Sequence, residues 1–183
     1  MAKKASTTKA PASNKDSVTL QRIETAHPSI RQELQEIYDE ICLRLNGRVR
    51  CRFTHVLRTI KEQDDLFALG RTKPGKKVTN ARGGQSYHNY GLATDICLLY
   101  DMDGNGSHET ASWNEKTDMD RDNQPDWLEV VAVFKMYGWE WGGTWVGLRD
   151  APHFQKTLGY TIPQLKKMVD EKKVIKGTQY PAV

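Results

Sequence analysis

The feature that most constrains this chain is an apolar run that begins with an acid. Residues 96–100 read Ile-Cys-Leu-Leu-Tyr, which is typical of a buried strand, and Asp95 precedes them directly. A carboxylate at the start of a buried strand needs a partner, because removing an unpaired charge from water is costly. His88 lies seven residues before Asp95, and Asp150 and His153 form a second compact group. A metal ion bound between the two groups would supply that partner.

The residue types indicate which metal. Two imidazoles and one carboxylate suit zinc, and a catalytic zinc site keeps a fourth position open for water. We therefore predict that His88, Asp95 and His153 are zinc ligands and that Asp150 is a nearby base. The alternative is that each group is an ordinary hydrogen-bonded His–Asp pair with no metal.

The two groups belong to a longer pattern. It reads Ser-x-His-x-x-Gly-x-Ala-x-Asp from Ser86, followed by Asp-x-Pro-His-Phe from Asp150. In this pattern the chain resembles the zinc peptidases of the D-alanyl-D-alanine carboxypeptidase and L-alanyl-D-glutamate endopeptidase group, and within it the phage endolysin branch. The resemblance runs from about Arg58 to Gln155 and includes Trp-Gly-Gly-Thr-Trp at residues 141–145.

The resemblance implies roles for further residues. Asp150 takes the position of the general base, which would accept a proton from the attacking water and pass it to the leaving amine. Arg58 takes the position of an arginine that points into the site, where it would hold a substrate carboxylate or an oxyanion. Ser86 and Gln155 are expected to support the ligands. The candidates for lining the substrate pocket are Ser86, Trp141 and Trp145.

The predicted function is zinc-dependent peptidoglycan hydrolysis by metal-activated water, as in an endolysin that cleaves the L-alanyl-D-glutamate bond of the stem peptide. The resemblance, and not the chemistry of the site, favours this bond over removal of terminal D-alanine by a carboxypeptidase. A non-catalytic, zinc-stabilised module that binds the cell wall is a second alternative. Glu140 is a rival for the role of base.

An acidic segment, residues 101–125, suggests a second metal. Asp101, Asp103 and Asn105 match the opening of a calcium loop, and Ser107 and Glu109 could add ligands. The twelfth position is Ser112 and not the glutamate of an EF-hand, and a strand instead of a helix precedes the segment. We therefore predict either a calcium loop of an unusual kind or a solvated acidic insertion.

The expected fold class is α+β, a small, mainly antiparallel sheet that carries the zinc site, with helices packed on one side. A capping box from Ser29 to Gln32 predicts the start of the first helix, and a second one from Thr161 to Gln164 predicts the last. We expect one zinc peptidase domain over residues 18–175. A disordered basic leader over residues 1–17 would precede it, and a tail over residues 176–183 would follow.

Location and partners follow from what the sequence lacks. No apolar run approaches the ~20 residues that span a bilayer, and no apolar core follows the first lysines, so we expect no signal peptide and no membrane insertion. The expected location is the host cytoplasm until release to the wall, and the expected partner of this monomer is the stem peptide. Nucleic acid is a less favoured partner, because almost no aromatic residue stands among the lysines of the basic ends.

Overall fold

A computed structural model describes residues 15–183 of the 183-residue chain. The helices are α1 (Ser17–Ile23), α2 (Pro28–Arg44), α3 (Ile60–Ala68), α4 (Asp126–Met136) and α5 (Ile162–Asp170). The strands are β1 (Val49–His55), β2 (Ala93–Tyr100), β3 (Thr110–Ser112), β4 (Glu140–Trp141) and β5 (His153–Gln155). None of the helices in this part of the chain has the length and the apolar run that crossing a membrane requires.

The sheet is antiparallel and is built around β2. Its order is β1-β2-β5-β4, and β3 pairs with the second half of β2, beyond β5. Because β2 has neighbours along both edges, its apolar run is buried, and Asp95 is the one residue of the strand that is not. This arrangement confirms the predicted α+β class with a small antiparallel sheet.

Helices α2 and α4 cover one face of the sheet. The buried residues of β1 alternate with half-buried ones, as a strand with one covered face requires. Among them, the Phe53 ring lies 5.4 Å from Tyr38 of α2 and 5.9 Å from Phe134 of α4, between ring centroids. Phe134 also stacks on Phe154 of β5 at 4.1 Å. Since successive side chains of a strand point to opposite faces, His153, next to Phe154, points to the other face of the sheet.

The first predicted helix cap is wrong and the last is confirmed. Helix α2 begins at Pro28, and His27 caps it by accepting the Ser29 N–H on Nδ1 at 3.2 Å. Proline is preset for the first helical position, so the helix begins before Ser29 can act as a cap. At α5, the Gln164 side chain accepts the Thr161 N–H at 2.8 Å, as the predicted capping box requires.

The predicted leader needs a correction at its end. Residues 1–14 lie outside the described part of the chain, but Lys15 to Ser17 belong to the folded domain. Asp16 is only 3% exposed, accepts the Thr19 N–H at the start of α1, and forms an ion pair with Arg52 at 2.7 Å. The Arg52 partner lies on β1, far along the chain, so local sequence reasoning could not place Asp16 inside the fold.

The predicted tail is also part of the domain. The Pro181 carbonyl lies 2.9 Å from Nε2 of the buried His27, and the Tyr180 hydroxyl donates to the Thr25 carbonyl. Tyr180 itself is buried. The last residues of the chain therefore pack against the connection between α1 and α2.

Candidate active site

A short turn presents His88. Ser86 opens a 3-10 helix over Tyr87–Tyr90, and its Oγ accepts the His88 N–H at 3.3 Å. Gly91 ends this helix with a left-handed φ of +67°, and a Cβ at that position would lie 2.7 Å from the His27 nitrogen. Both features require glycine, which agrees with the expectation that a side chain would be excluded here. The turn brings His88 back over the start of β2.

The structure brings the three predicted zinc ligands together. Asp95 and His153 face each other in the β2–β5 pairing. Asp95 Oδ1 lies 3.1 Å from His88 Nε2 and 3.1 Å from His153 Nδ1, and the two imidazole nitrogens are 3.2 Å apart. His88 and His153 are both buried.

Hydrogen bonds outside this group fix the protons of both rings. His88 Nδ1 lies 2.9 Å from the Val56 carbonyl, which can only accept, so Nδ1 carries the proton and Nε2 presents a lone pair. For His153 the fixed point is Glu140, whose carboxylate accepts the Gln155 amide N–H at 2.8 Å. The amide oxygen of Gln155 therefore faces His153 Nε2 at 3.1 Å and accepts a hydrogen bond from its N–H. The proton of the neutral ring is then on Nε2, and Nδ1 has a lone pair.

When both rings are neutral, three acceptors thus converge with no proton between them. Two imidazole lone pairs and a carboxylate oxygen repel one another unless a cation lies among them. Two nitrogens and one oxygen are a donor set that suits zinc, and the supporting bonds to the far ring nitrogens are those that zinc-bound histidines usually have. His88, Asp95 and His153 therefore fit a zinc ion.

Arg58 supports the carboxylate of this group. Its Nη2 donates to Asp95 Oδ2 at 3.1 Å, its Nη1 donates to Gln63 Oε1 at 2.9 Å, and its backbone N–H donates to the His88 carbonyl. The side chain is 11% exposed and also borders the cleft described below. In this structure the guanidinium orients a predicted ligand, while contact with substrate stays a prediction.

The electrostatics of the group are strongly coupled. Burial alone would raise the pKa of Asp95, but the charges of His88 and His153 and their hydrogen bonds outweigh it and hold that pKa well below its usual range. For His153, burial would lower the pKa, but the hydrogen bond and the charge of Asp95 raise it. A proton and a metal ion therefore compete for the same nitrogen.

Asp150 lies beside the ligands on a short loop. Its N–H donates to the Gly142 carbonyl at 3.0 Å, and its own carbonyl accepts the His153 N–H at 3.2 Å. A Cβ on Gly142 would lie 2.5 Å from the Asp150 carbonyl oxygen, so this close approach requires glycine. Burial, together with the negative charge of Asp95, raises the pKa of Asp150. The shift moves its carboxyl toward the range in which a general base works at neutral pH.

Comparisons of the sequence with known proteins point to one family. A family model described as D-alanyl-D-alanine carboxypeptidase matches residues 79–156. The peptidoglycan L-alanyl-D-glutamate endopeptidase CwlK of Bacillus subtilis is 40% identical over 129 residues, which are 70% of this chain and 72% of that protein. The chain belongs to the peptidase family of D-alanyl-D-alanine carboxypeptidases and L-alanyl-D-glutamate endopeptidases. The crystal structure of the L-Ala D-Glu endopeptidase ChiX of Serratia marcescens is also similar, with a TM-score of 0.49 and 20% identity over 78% of this chain and 88% of that one.

The peptidase has a cleft of about 990 Å³ at the ligand group. Arg58, Ser86, Asp150 and Trp145 border it, and the Trp145 ring lies 5.1 Å from the His153 ring. Trp113 and Leu148 also border the cleft and are 55% and 59% exposed. These two residues were not predicted, because exposed apolar residues in loops carry no periodic signal.

The prediction that Trp141 lines the pocket is corrected. The residues that border the cleft do not include it. Its Nε1 donates to the Ala151 carbonyl at 2.7 Å, and its ring packs parallel to Phe154. Trp141 therefore supports the loop that carries Asp150, from behind the cleft. The rival base Glu140 is likewise engaged elsewhere, in its bond to Gln155.

The polar side chains of the predicted calcium loop accept hydrogen bonds from backbone N–H groups of the same loop. Asp101 accepts N–H bonds from Gly104, Asn105 and Gly106, while Asp103 accepts the Asn105 N–H. Asn105 in turn accepts the Ser107 N–H. Within residues 15–183, the groups of three side chains that are close enough to hold one metal ion lie outside this loop, and none of them includes Glu109. Calcium in this loop stays a prediction.

Proposed function

We propose that this peptidase is a zinc-dependent peptidoglycan hydrolase that cleaves the L-alanyl-D-glutamate bond of the stem peptide. Hydrolysis is supported by one observation. The lone pairs of His88, Asp95 and His153 converge next to Asp150, at a cleft that is open to solvent. The choice of bond rests on the likeness to CwlK, whose name states that specificity. Removal of terminal D-alanine is the second candidate, because the matching family model is described by that activity.

In the proposed reaction the ligands would be His88, Asp95 and His153. Zinc, when bound, lowers the pKa of a water to about 7 and polarises a carbonyl group. A carboxylate oxygen of Asp150 accepts the proton of the attacking water and returns it to the amine of the departing D-glutamate. Arg58 holds Asp95 in the orientation of a ligand, and the apolar rim at Trp113 and Leu148 packs against the uncharged part of the substrate.

The first experiment is digestion of purified peptidoglycan after zinc removal and after zinc is added back, with mass analysis of the fragments. New N-terminal D-glutamate that appears only with zinc is the expected result. Released D-alanine would move the protein to the carboxypeptidase activity. Tight wall binding without cleavage in zinc would favour the alternative of a non-catalytic binding module.

The role as a phage endolysin is a finer proposal. It rests on the sequence resemblance, and storage in the host cytoplasm and a monomeric state are proposed together with it. An endolysin is expected to lyse bacteria whose peptidoglycan is accessible to the added protein. The His88→Ala variant should not lyse them. Cleavage of isolated fragments without lysis of whole walls would contradict it.

A further inference from the structure

A second group of acidic side chains lies at the start of α4 and has no part in the proposed reaction. Carboxylate oxygens of Asp120, Asp126 and Glu129 lie within 4.8 Å of one another, and Asp118, Asp120 and Asp122 form an overlapping group. Asp126 is fully buried and Glu129 is 6% exposed. Several carboxylates are thus held close together, partly out of water.

Two oxygens of this group are buried without a partner. Within residues 15–183, Glu129 Oε2 and Asp120 Oδ1 are inaccessible to solvent and have no hydrogen-bond partner. Asp120 Oδ2 accepts the Asn46 N–H at 3.1 Å, and Asp126 accepts the Met119 N–H. The nearby Arg44 forms its ion pair with Glu40. A buried carboxylate oxygen with no partner points to a bound water or ion.

The spacing of the acids matches a calcium loop over its full length. Asp118, Asp120, Asp122, Asp126 and Glu129 occupy positions 1, 3, 5, 9 and 12 of a twelve-residue segment. Position 6, where the loop needs a sharp turn and usually has glycine, is Asn123, with a left-handed φ of +74°. Helix α4 begins at position 9, so Glu129 lies in its first turn. The loop at Asp101 lacks the glutamate at position 12, because its twelfth residue is Ser112.

We propose that residues 118–129 form a calcium site. Asp118, Asp120, Asp122 and Glu129 supply carboxylate oxygens, Gln124 at position 7 supplies a carbonyl, and Asp126 binds directly or through water. Such a set offers the six to eight oxygens that calcium takes, whereas magnesium prefers to keep several waters.

The ion would stabilise the helix that supports the proposed zinc site. The carboxylate oxygens of Asp120, Asp126 and Glu129 lie within 4.8 Å of one another, so the cluster is under repulsion when no cation is present. Helix α4 carries Phe134, which stacks on Phe154, the neighbour of His153. Calcium at the start of α4 therefore acts on the layer directly beneath a predicted zinc ligand.

The test uses the full chain loaded with zinc, with unbound zinc removed. Titration with CaCl₂ is followed by calorimetry and by the melting temperature. We expect one equivalent of calcium to bind with a dissociation constant of about 10⁻⁶–10⁻³ M, and magnesium to bind more weakly. Glu129→Gln and Asp122→Asn should each weaken binding by about tenfold or more, because each removes one ligand charge. Glu36→Gln, at an exposed carboxylate of α2 outside both acidic loops, is the matched control and should bind like the unchanged protein.

A second readout separates a lost ligand from a damaged fold. In calcium-free buffer Glu129→Gln should melt at a higher temperature than the unchanged protein, because the substitution removes repulsion, whereas a damaged fold would melt at a lower one. The proposal is overturned if no calcium binds at millimolar concentrations. It is also overturned if Asp103→Asn, in the loop at Asp101, abolishes binding while Glu129→Gln leaves it unchanged, since the ion would then occupy the other loop.

Discussion

Two hydrogen bonds outside the ligand group decide what the ligand group can bind. The Val56 carbonyl fixes the proton of His88, and the Gln155 amide, itself fixed by Glu140, fixes that of His153. Each bond leaves the inward nitrogen free to donate its lone pair. At the scale of single residues, the affinity of the site for a metal ion would therefore depend on the Val56 carbonyl, Gln155 and Glu140, which lie outside the predicted ligand group.

Replacing Gln155 by leucine tests this dependence. The variant keeps the approximate volume but cannot accept the proton of His153 Nε2, so the ring is free to carry its proton on the inward nitrogen. Zinc affinity should fall by roughly 10- to 100-fold, measured by competition with a chelator. Gln32→Leu, at an exposed position of α2, is the control and should bind zinc normally. Equal affinities in both variants would show that the Gln155 bond does not orient the ring.

Asp150→Asn separates metal binding from catalysis. The amide cannot accept a proton from water, so turnover should fall by about 10²- to 10⁴-fold while zinc affinity stays the same. The measurements are peptidoglycan fragment release and chelator competition. Unchanged turnover would place the base elsewhere, although Glu140, the rival from the sequence, is occupied by Gln155.

At the scale of elements, the site consists of a tight turn laid across a strand pair. The sequence could predict that His88, Asp95 and His153 come together, because the turn and both strands carry their chemistry within short motifs, from Ser86 to Asp95 and from Asp150 to Phe154. Helix α1 and the ordered ends could not be found in this way. They depend on single long-range contacts, such as Asp16 with Arg52 and His27 with Pro181, and a local pattern does not contain such contacts.

The loop at residues 118–129 was overlooked for a related reason. Asn123 stands where the calcium-loop pattern expects glycine, and only the backbone shows that this asparagine has the left-handed φ that the position requires. The loop predicted from the sequence, with ligands from Asp101 to Glu109, has the glycine at Gly106 but Ser112 in place of the final glutamate. A local conformation can thus be supplied by a residue that the pattern does not name, because asparagine tolerates this region better than most residues.

Gly91→Ala tests the geometry of the turn. The variant adds left-handed strain and places a Cβ 2.7 Å from the His27 nitrogen, so it should lower the free energy of unfolding by more than about 2 kcal/mol. Urea unfolding of the zinc-free protein measures the change. Gly177→Ala is a matched control, because Gly177 has a similar φ of +79° with nothing within 4 Å, and should lose only about 1 kcal/mol. Equal losses in the two variants would mean that the backbone at His27 moves away from the added Cβ at no measurable cost in stability.

At the scale of the whole molecule, charge is distributed unevenly. The chain carries a net charge of +4, yet residues 101–129 contain nine acids and two bases. Part of this acidic segment is buried at the start of α4. Without a cation, the free energy of unfolding therefore depends on how many of these carboxyl groups are protonated.

This balance predicts a pH dependence for the calcium-free protein. The folded pKa of Glu129 is about 7, above its ordinary value of 4.5, so its stabilising proton is held below pH 4.5 and is lost as the pH rises through 7. The free energy of unfolding of the unchanged protein should fall over that window relative to Glu129→Gln, by at most about 3 kcal/mol. Urea unfolding of both proteins at several pH values gives the difference. A constant difference would show that Glu129 does not titrate between these limits.

The convergence of His88, Asp95 and His153 also has a topological consequence. Asp95 and His153 are 58 residues apart in the chain, and the segment between them contains β3, α4 and β4. An ion held by both would close this segment into a loop in the folded state and would stabilise that state by its binding free energy, because unfolding releases the ion. In a protein whose three cysteines are buried thiols, zinc would then serve as the staple that a disulfide provides in other small domains.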